Sequence, residues 1–150
     1  MPLFIKESLI RAPVSRVFAF HESPGALERL IPPWERAEVV RRGGSLQPGA
    51  VVVLRMRVGP LWQEWHAEHT LYEKDVLFQD VQRRGPFARW VHTHRFLPDP
   101  SGGTRLIDEV AYALPLGPLG ALLGGTFVRR KLKAMFDFRH QATREACGED

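Results

Sequence analysis

The chain has 150 residues, of which 44% are hydrophobic and 25% charged, and 21 Lys and Arg against 17 Asp and Glu give a net charge of +4. This composition is typical of a single globular domain, here residues 1–150, and excludes a disordered or fibrous chain. The mild basic excess comes without a zinc-finger, RNA-recognition or helix-turn-helix pattern, so we expect no nucleic-acid partner.

The first third of the chain predicts one strand followed by two short helices. Leu3–Arg11 alternates as a strand does, and Pro13 suits the first turn of a helix. Ser23 and Pro24 form a second helix start, leading into Ala26–Ile31. Two prolines follow and end this helix, because proline cannot continue the hydrogen-bond ladder.

From Trp34 onward the hydrophobic period changes from helical to extended. The predicted strands are Ala37–Arg42, Val51–Val58, Gln63–Glu73, Val76–Arg83, Ala88–Leu97 and Thr104–Ala113. The segments between them are short and rich in glycine and proline, as turns are. Short connections imply an antiparallel meander, because parallel neighbours need long crossovers.

The C-terminal part predicts a loop and then a long amphipathic helix. Leu114–Gly125 alternates leucine with glycine and proline, and we interpret it as a mobile lip whose glycines permit movement. From about Thr126 to Glu145 the apolar residues follow i, i+3 and i+4 spacing and form a stripe. The prediction is therefore an α+β fold, in which a curved seven-stranded antiparallel sheet wraps around this helix and buries both apolar faces.

The strand Trp90–Phe96 is the most informative segment, because alternate residues share a face. One face carries Trp90, His92, His94 and Phe96, two imidazoles between two aromatic rings. An inward face of rings and titratable groups is typical of a ligand cavity. The alternative is a packed core that holds two hydrogen-bonded histidines.

The same alternation on the neighbouring strands predicts further inward side chains. They are Trp65, His69, Asp80, Gln82, Asp108 and Tyr112, joined by Met135 and Phe136 of the helix. In the strand of Asp80 the rival face holds Leu77 and Val81, which leaves that choice open. Hairpin register then places Asp80 and Asp108 opposite His92 or His94, a row across three strands. Burying these groups unpaired costs several kcal/mol, so we expect them to pair.

Seven short phrases spread over the whole chain carry a resemblance to a known superfamily. They are Ile10–Phe18, Trp65–Thr70, Asp80–Phe87, Trp90–Phe96, Asp108–Tyr112, Leu114–Pro118 and Met135–His140. With the order of elements, they resemble the START/polyketide-cyclase superfamily, also called SRPBCC or helix-grip, in its cyclase-like ligand-binding subgroup. The resemblance implies the helix-grip fold. Members bind lipids, quinones, hormones or polyketides and only some are enzymes, so the fold does not decide the function.

The row of carboxylates and imidazoles admits three interpretations. In the first, it anchors the head of a hydrophobic ligand whose body contacts the aromatic rings. In the second, it is the acid–base site of a polyketide cyclase or dehydratase, with His92 or His94 as base, Asp80 or Asp108 as orienting group and Tyr112 as donor to the enolate oxygen. In the third, His92 and His94 ligate a metal. We favour the first and expect no metal and no cofactor.

The remaining expectations concern partners and compartment. The one cysteine, Cys147, excludes an internal disulfide. Charged residues follow the start before any long apolar region, so no signal peptide is indicated, and the apolar stretch Ala113–Phe127 is too short and too broken to span a bilayer. We expect a cytoplasmic monomer or homodimer that binds or transports a lipid, quinone or polyketide-like molecule, with a protein-interaction module as the open alternative.

Overall fold

A computed structural model describes residues 2–148 and has a seven-stranded antiparallel sheet as its framework. The elements are β1 (Leu3–Ile10), α1 (Val14–Glu22), α2 (Ala26–Arg29), β2 (Ala37–Arg41), β3 (Val51–Val58), β4 (Leu61–Glu73), β5 (Leu77–Arg84), β6 (Arg89–Pro98), β7 (Thr104–Ala113) and α3 (Gly117–Ala146). The strand order is β1-β7-β6-β5-β4-β3-β2. This is the α+β architecture expected from the sequence, with strand limits within two residues of the predicted ones.

Strands β6 and β7 show why the sheet has one buried face. Along β7 the buried residues Leu106, Asp108, Val110 and Tyr112 alternate with more exposed neighbours. Pairing with β6 sets these side chains beside the buried face of that strand. Alternation with a period of two therefore produces one continuous inward surface across the two strands.

Two apolar clusters fill the interior on either side of the middle of β6. Phe18 of α1 is fully buried and contacts Phe96, with ring centroids 4.9 Å apart. Phe136 of α3 is equally buried, in a second cluster with Trp90 and Tyr112. Full burial of one such side chain stabilises the fold by roughly 1.5–3 kcal/mol. The clusters leave His92 and His94 between them.

The start of α3 differs from the prediction. The helix begins at Gly117 and not near Thr126, so most of the segment interpreted as a mobile lip is helical. Pro118 lies in the first turn, where proline is well tolerated. A Cβ at Gly120 would fall well inside van der Waals contact with the Pro115 carbonyl oxygen, so glycine here lets the helix pack onto the chain that enters it. Gly120, one of the glycines that indicated a loop, therefore serves close packing.

The first turns of α3 also present apolar side chains to the outside. The exposed ones are Leu116, Leu119, Leu122, Leu123 and Phe127. Of the helices in residues 2–148, none combines the length and apolar character that a bilayer crossing needs.

We predict that Gly120→Ala destabilises the protein, whereas Gly125→Ala does not. The added methyl group at residue 120 meets the Pro115 carbonyl and must displace the helix start, which costs about 1–3 kcal/mol. At Gly125 a Cβ meets nothing within 4 Å, and alanine favours the helix by about 0.5–1 kcal/mol. Thermal unfolding of both variants is the measurement. Equal melting temperatures would contradict an α3 that is already helical at residue 120.

Candidate functional site

A cavity of about 610 Å³ lies between the inner face of the sheet and helix α3. This volume lies within the range of roughly 300–1,000 Å³ that small-molecule sites occupy. Most of its wall is apolar, with contributions from Val52, Leu54, Met56, Trp65, Leu132 and Met135. Polar groups are concentrated where β5 and β6 contribute Asp80, His92 and His94. The cavity wall is therefore mostly apolar, and we call the part formed around Asp80, His92 and His94 its polar region.

The carboxylate of Asp108 is the centre of the polar region and accepts three hydrogen bonds from imidazoles. Its Oδ1 lies 2.7 Å from His92 Nε2 and 3.1 Å from His94 Nδ1. Its Oδ2 lies 2.6 Å from Nε2 of His140, a residue of α3. The His140 Nδ1 accepts a bond from the Ser8 hydroxyl, at 2.7 Å. One buried carboxylate thus joins β6, β7, α3 and, through Ser8, β1.

Asp80 approaches the same imidazoles from the other side. Its Oδ2 lies 3.0 Å from His94 Nε2 and 4.0 Å from His92 Nδ1. The register pairs Asp80 with His92 and His94 with Asp108, so the predicted row across β5, β6 and β7 is present as a geometric arrangement. The Asp80 side chain is 15% exposed against 6% for Asp108. Asp80 is therefore the carboxylate that a molecule in the cavity can reach.

The hydrogen bonds determine which imidazoles carry charge. A carboxylate can only accept, so the contacts of both His94 nitrogens with carboxylate oxygens favour the imidazolium form of this ring. Burial opposes this charge, but the hydrogen bonds from His94 to Asp108 and Asp80 and their negative charges together raise the pKa of His94. Burial and the neighbouring His94 lower the pKa of His92. His92 is therefore neutral, with its proton on Nε2 and a lone pair on Nδ1.

The imidazoles in turn lower the pKa values of the two carboxylates. Burial alone would raise the pKa of Asp80, but the hydrogen bond from His94 and the nearby imidazoles lower it to about 2. Hydrogen bonds from His140, His92 and His94 likewise outweigh burial and hold the pKa of Asp108 well below its ordinary value. Both carboxylates are ionised at neutral pH.

Ring stacking holds the two imidazoles in place. Phe78 stacks on His94 with centroids 3.9 Å apart and an interplanar angle of 15°, and His94 stacks on His92 at 3.7 Å. Phe136 meets His92 edge-on at 5.1 Å. The face of Phe78 also attracts the His94 cation. Rotation of either imidazole would break these contacts as well as hydrogen bonds.

Seven of the side chains predicted to bind a ligand line the cavity. They are Trp65, His69, Asp80, Trp90, His92, His94 and Met135. Asp108 does not line it, because the histidines that bind its carboxylate lie between it and the cavity. Gln82 is bonded instead to the backbone N–H and carbonyl of Phe87 at the β5–β6 turn.

Three aromatic side chains that were expected in the cavity wall are packed in the core. Phe96 belongs to the cluster with Phe18 of α1, because it lies beyond His94 on the inward face of β6. Tyr112 and Phe136 belong to the second cluster, with Trp90. The alternation of side chains along a strand predicts which of them point inward. It does not predict whether an inward side chain packs in the core or lines a cavity.

The prediction missed three residues that matter for the polar region. His140 lies four residues after Phe136, on the same buried stripe of α3. Arg139 lies four residues after Met135, and both line the cavity. His21 of α1 also lines it; burial lowers its pKa to about 4, although Nδ1 lies 2.8 Å from the Val17 carbonyl oxygen. Titratable residues at helical spacing from buried apolar ones were the available signal.

Asp80, His92 and His94 also form a set of possible metal ligands. One ligand atom from each lies within 4.8 Å of the others. Imidazole and carboxylate suit a transition metal such as zinc. An ion bound to His94 would have to displace a hydrogen bond to Asp80 or Asp108, because both ring nitrogens are engaged.

Comparisons with known proteins identify similar sequences and folds. A family model described as polyketide cyclase / dehydrase and lipid transport matches residues 10–138. Protein TTHA0849 from Thermus thermophilus has a TM-score of 0.70 at 23% identity, over 97% of both chains. Protein CV1439 from Chromobacterium violaceum has a TM-score of 0.74 at 12% identity, over 100% of both chains. No curated protein matches the sequence.

A third solved structure is much longer than this chain. It is a nucleoside-diphosphate sugar epimerase from Corynebacterium glutamicum, with a TM-score of 0.72 at 26% identity. The match covers 95% of this chain and 28% of the epimerase. The similarity is therefore to one part of that protein.

We predict that Asp108→Asn destabilises the protein far more than Glu109→Gln does. The first change removes the charge that three imidazoles share and places amide hydrogens against ring donors, which costs about 3–5 kcal/mol in a buried ionic network. Glu109 pairs with Arg95 on the outer face, where such pairs contribute about 0–1 kcal/mol. Urea unfolding measures both changes. Similar losses for the two variants would show that Asp108 does not organise the interior.

Proposed function

Because the chain belongs to the polyketide cyclase / dehydrase and lipid transport family, we propose that it binds and carries a hydrophobic small molecule of lipid, quinone or polyketide type in the cavity beside α3. The observation that carries this proposal is a cavity of about 610 Å³ whose wall is mostly apolar and whose few polar groups include Asp80, His92 and His94. Apolar walls with a few placed polar groups are typical of small-molecule sites. The body of the ligand lies along β3, β4 and α3.

The polar region acts in this proposal as an anchor for a polar group of the ligand. Its imidazoles and carboxylates already satisfy one another, so the site keeps its shape without a ligand. Asp80 has more exposure to the cavity than Asp108, and its carboxylate can accept a hydrogen bond from a hydroxyl group. A preformed anchor of this kind orients a bound molecule at little conformational cost.

We predict that Ala67→Phe weakens uptake of the neutral dye N-phenyl-1-naphthylamine, whereas Glu68→Phe does not. Ala67 lines the cavity, so the added ring occupies space that the dye needs. Glu68 lies on the outer face, paired with Arg83, and presents the same ring to solvent. A fluorescence titration should give roughly tenfold weaker binding for the first variant only. No fluorescence increase with the unmodified protein would refute the cavity as a binding site.

Native mass spectrometry can detect the molecule that the protein binds. Protein purified from its own organism and sprayed intact should carry a bound mass that denaturation releases. Organic extracts of the same sample then give the chemical class of the molecule. Equal masses before and after denaturation, in several growth phases, would count against a resident ligand.

A second candidate function is supported by the orientation of His92. With its proton held on Nε2 by Asp108, at 2.7 Å, the ring keeps a lone pair on Nδ1 and lines the cavity. A carboxylate-oriented neutral imidazole is a general base that can remove a proton beside a ketone, the first step of a cyclase or dehydratase reaction. In this candidate Asp108 orients the base from behind and does not touch the substrate.

We predict for this second candidate that the protein accelerates deuterium exchange beside the carbonyl of a bound ketone. The probe is 2-undecanone in D₂O, followed by NMR. His92→Gln should remove the acceleration because glutamine cannot take up the proton, whereas His66→Gln, on the outer face beside Glu64, should retain it. Exchange at the uncatalysed rate with unmodified protein would eliminate the acid–base candidate and leave the carrier function intact.

A further inference from the structure

Arg139 of α3 extends the polar part of the cavity from the helix side. The helix residues Val128, Leu132, Met135 and Arg139 recur at spacings of three and four and all line the cavity. The first three are apolar, so the lining stripe of the helix ends in a guanidinium. Its Cζ lies over the ring of Phe136, 5.4 Å from the centroid. Aromatic contact of this kind orients a guanidinium without satisfying its hydrogen-bond donors.

The guanidinium has no counter-ion among residues 2–148. The Arg139 Nε is buried without a hydrogen-bond partner, and no carboxylate of these residues lies within 4.0 Å of its nitrogens. An arginine side chain stays charged in a protein. Burying such a group without an acceptor is costly, and an acceptor of good geometry offsets that cost.

The nearest acidic groups are engaged elsewhere. Asp80 and Asp108 attract Arg139 through space, but their short contacts are with His92, His94 and His140. Glu35, which also lines the cavity, forms an ion pair with Lys131 at 3.5 Å. The donors of Arg139 are therefore available to a molecule that enters the cavity.

A second buried nitrogen without a hydrogen-bond partner belongs to a residue that lines the same cavity. In the part of the chain from residue 2 to 148, two buried side-chain nitrogen or oxygen atoms lack a hydrogen-bond partner, Arg139 Nε and His69 Nδ1. Both residues line this one cavity. Native interiors rarely leave buried polar atoms unpaired, and two such atoms at one cavity are accounted for by a group that enters it.

We propose that the ligand is an amphipathic anion, a hydrophobic body with one carboxylate that Arg139 binds. The inference rests on the proposed carrier function and names the chemical class of its cargo. A carboxylate matches the planar fork of a guanidinium, which can donate two parallel hydrogen bonds to it. The apolar residues of β3, β4 and α3 take up the body. The charged imidazole of His94 is already engaged with both aspartates, which leaves the ligand carboxylate its pairing with Arg139.

The test compares decanoate with 1-decanol, which differ in the head group alone, by isothermal titration calorimetry. The unmodified protein should bind decanoate at least about tenfold more tightly than the alcohol, as a charge-assisted bond at a buried site requires. Arg139→Met should abolish this preference, and Arg139→Lys should retain part of it. Arg130→Met, an exposed position on the same helix, is the matched control and should keep the full preference.

The stability of Arg139→Met distinguishes a ligand-binding role from a structural one. Removing an unpaired buried charge should leave the melting temperature of the ligand-free protein unchanged or higher. A clear fall in that temperature would show that the guanidinium supports the fold, and would overturn the inference. Persistence of the decanoate preference in this variant would also overturn it.

The outcomes distinguish a failure of the anionic-ligand proposal from a failure of the carrier function on which it rests. Uptake of the neutral dye N-phenyl-1-naphthylamine with equal affinities for decanoate and decanol would overturn the anionic ligand and leave the carrier function standing. Dye uptake without any binding of decanoate would do the same. Failure of the dye, the acid and the alcohol together would overturn both.

Discussion

The carboxylate of Asp108 is the interaction on which the interior depends, because it joins sheet and helix through a charge. His92 and His94 of β6 bind one of its oxygens and His140 of α3 binds the other, while His140 also contacts Ser8 of β1. A lone carboxylate at this depth would destabilise the fold by several kcal/mol, and its donors remove that penalty only as a set. The histidines therefore stabilise the fold before any ligand is considered.

The position of this network along β6 determines where the cavity is polar. Trp90 and Phe96, at the two ends of the inward face, close the apolar clusters beneath α3 and α1. His92 and His94 lie between them, where neither helix fills the space with aliphatic side chains. One strand thus contributes to two cores and to the polar wall of a cavity. This arrangement accounts for a large cavity in a chain of only 150 residues, since packing remains dense on both sides of it.

How far the sequence could predict the site depends on the kind of element involved. Strand side chains alternate with a period of two, so parity and hairpin register predicted Asp108 and the two imidazoles in one row. Asp80 joined the row only by a choice between two faces that the sequence left open. On a helix, adjacent residues point only 100° apart, and the rotation of α3 decides that His140 faces Asp108 while Arg139 faces the cavity. That rotation follows from packing against the sheet. The early start of α3 was missed for a similar reason, because Gly120 has low helix propensity and its close approach to Pro115 is a tertiary contact.

The interior contains buried carboxylates that have hydrogen-bond donors and a buried guanidinium nitrogen that has no acceptor. The carboxylates of Asp80 and Asp108 are surrounded by donors, so their burial is compensated within the protein. The Nε of Arg139 is buried in the same interior without an acceptor, although methionine would fill this position at no electrostatic cost. Local violations of the rules that stabilise a fold concentrate at functional sites, where a ligand supplies the missing group. An interior that pairs its carboxylates with imidazoles and leaves the Nε of its arginine without an acceptor is matched to a molecule that brings a negative charge of its own.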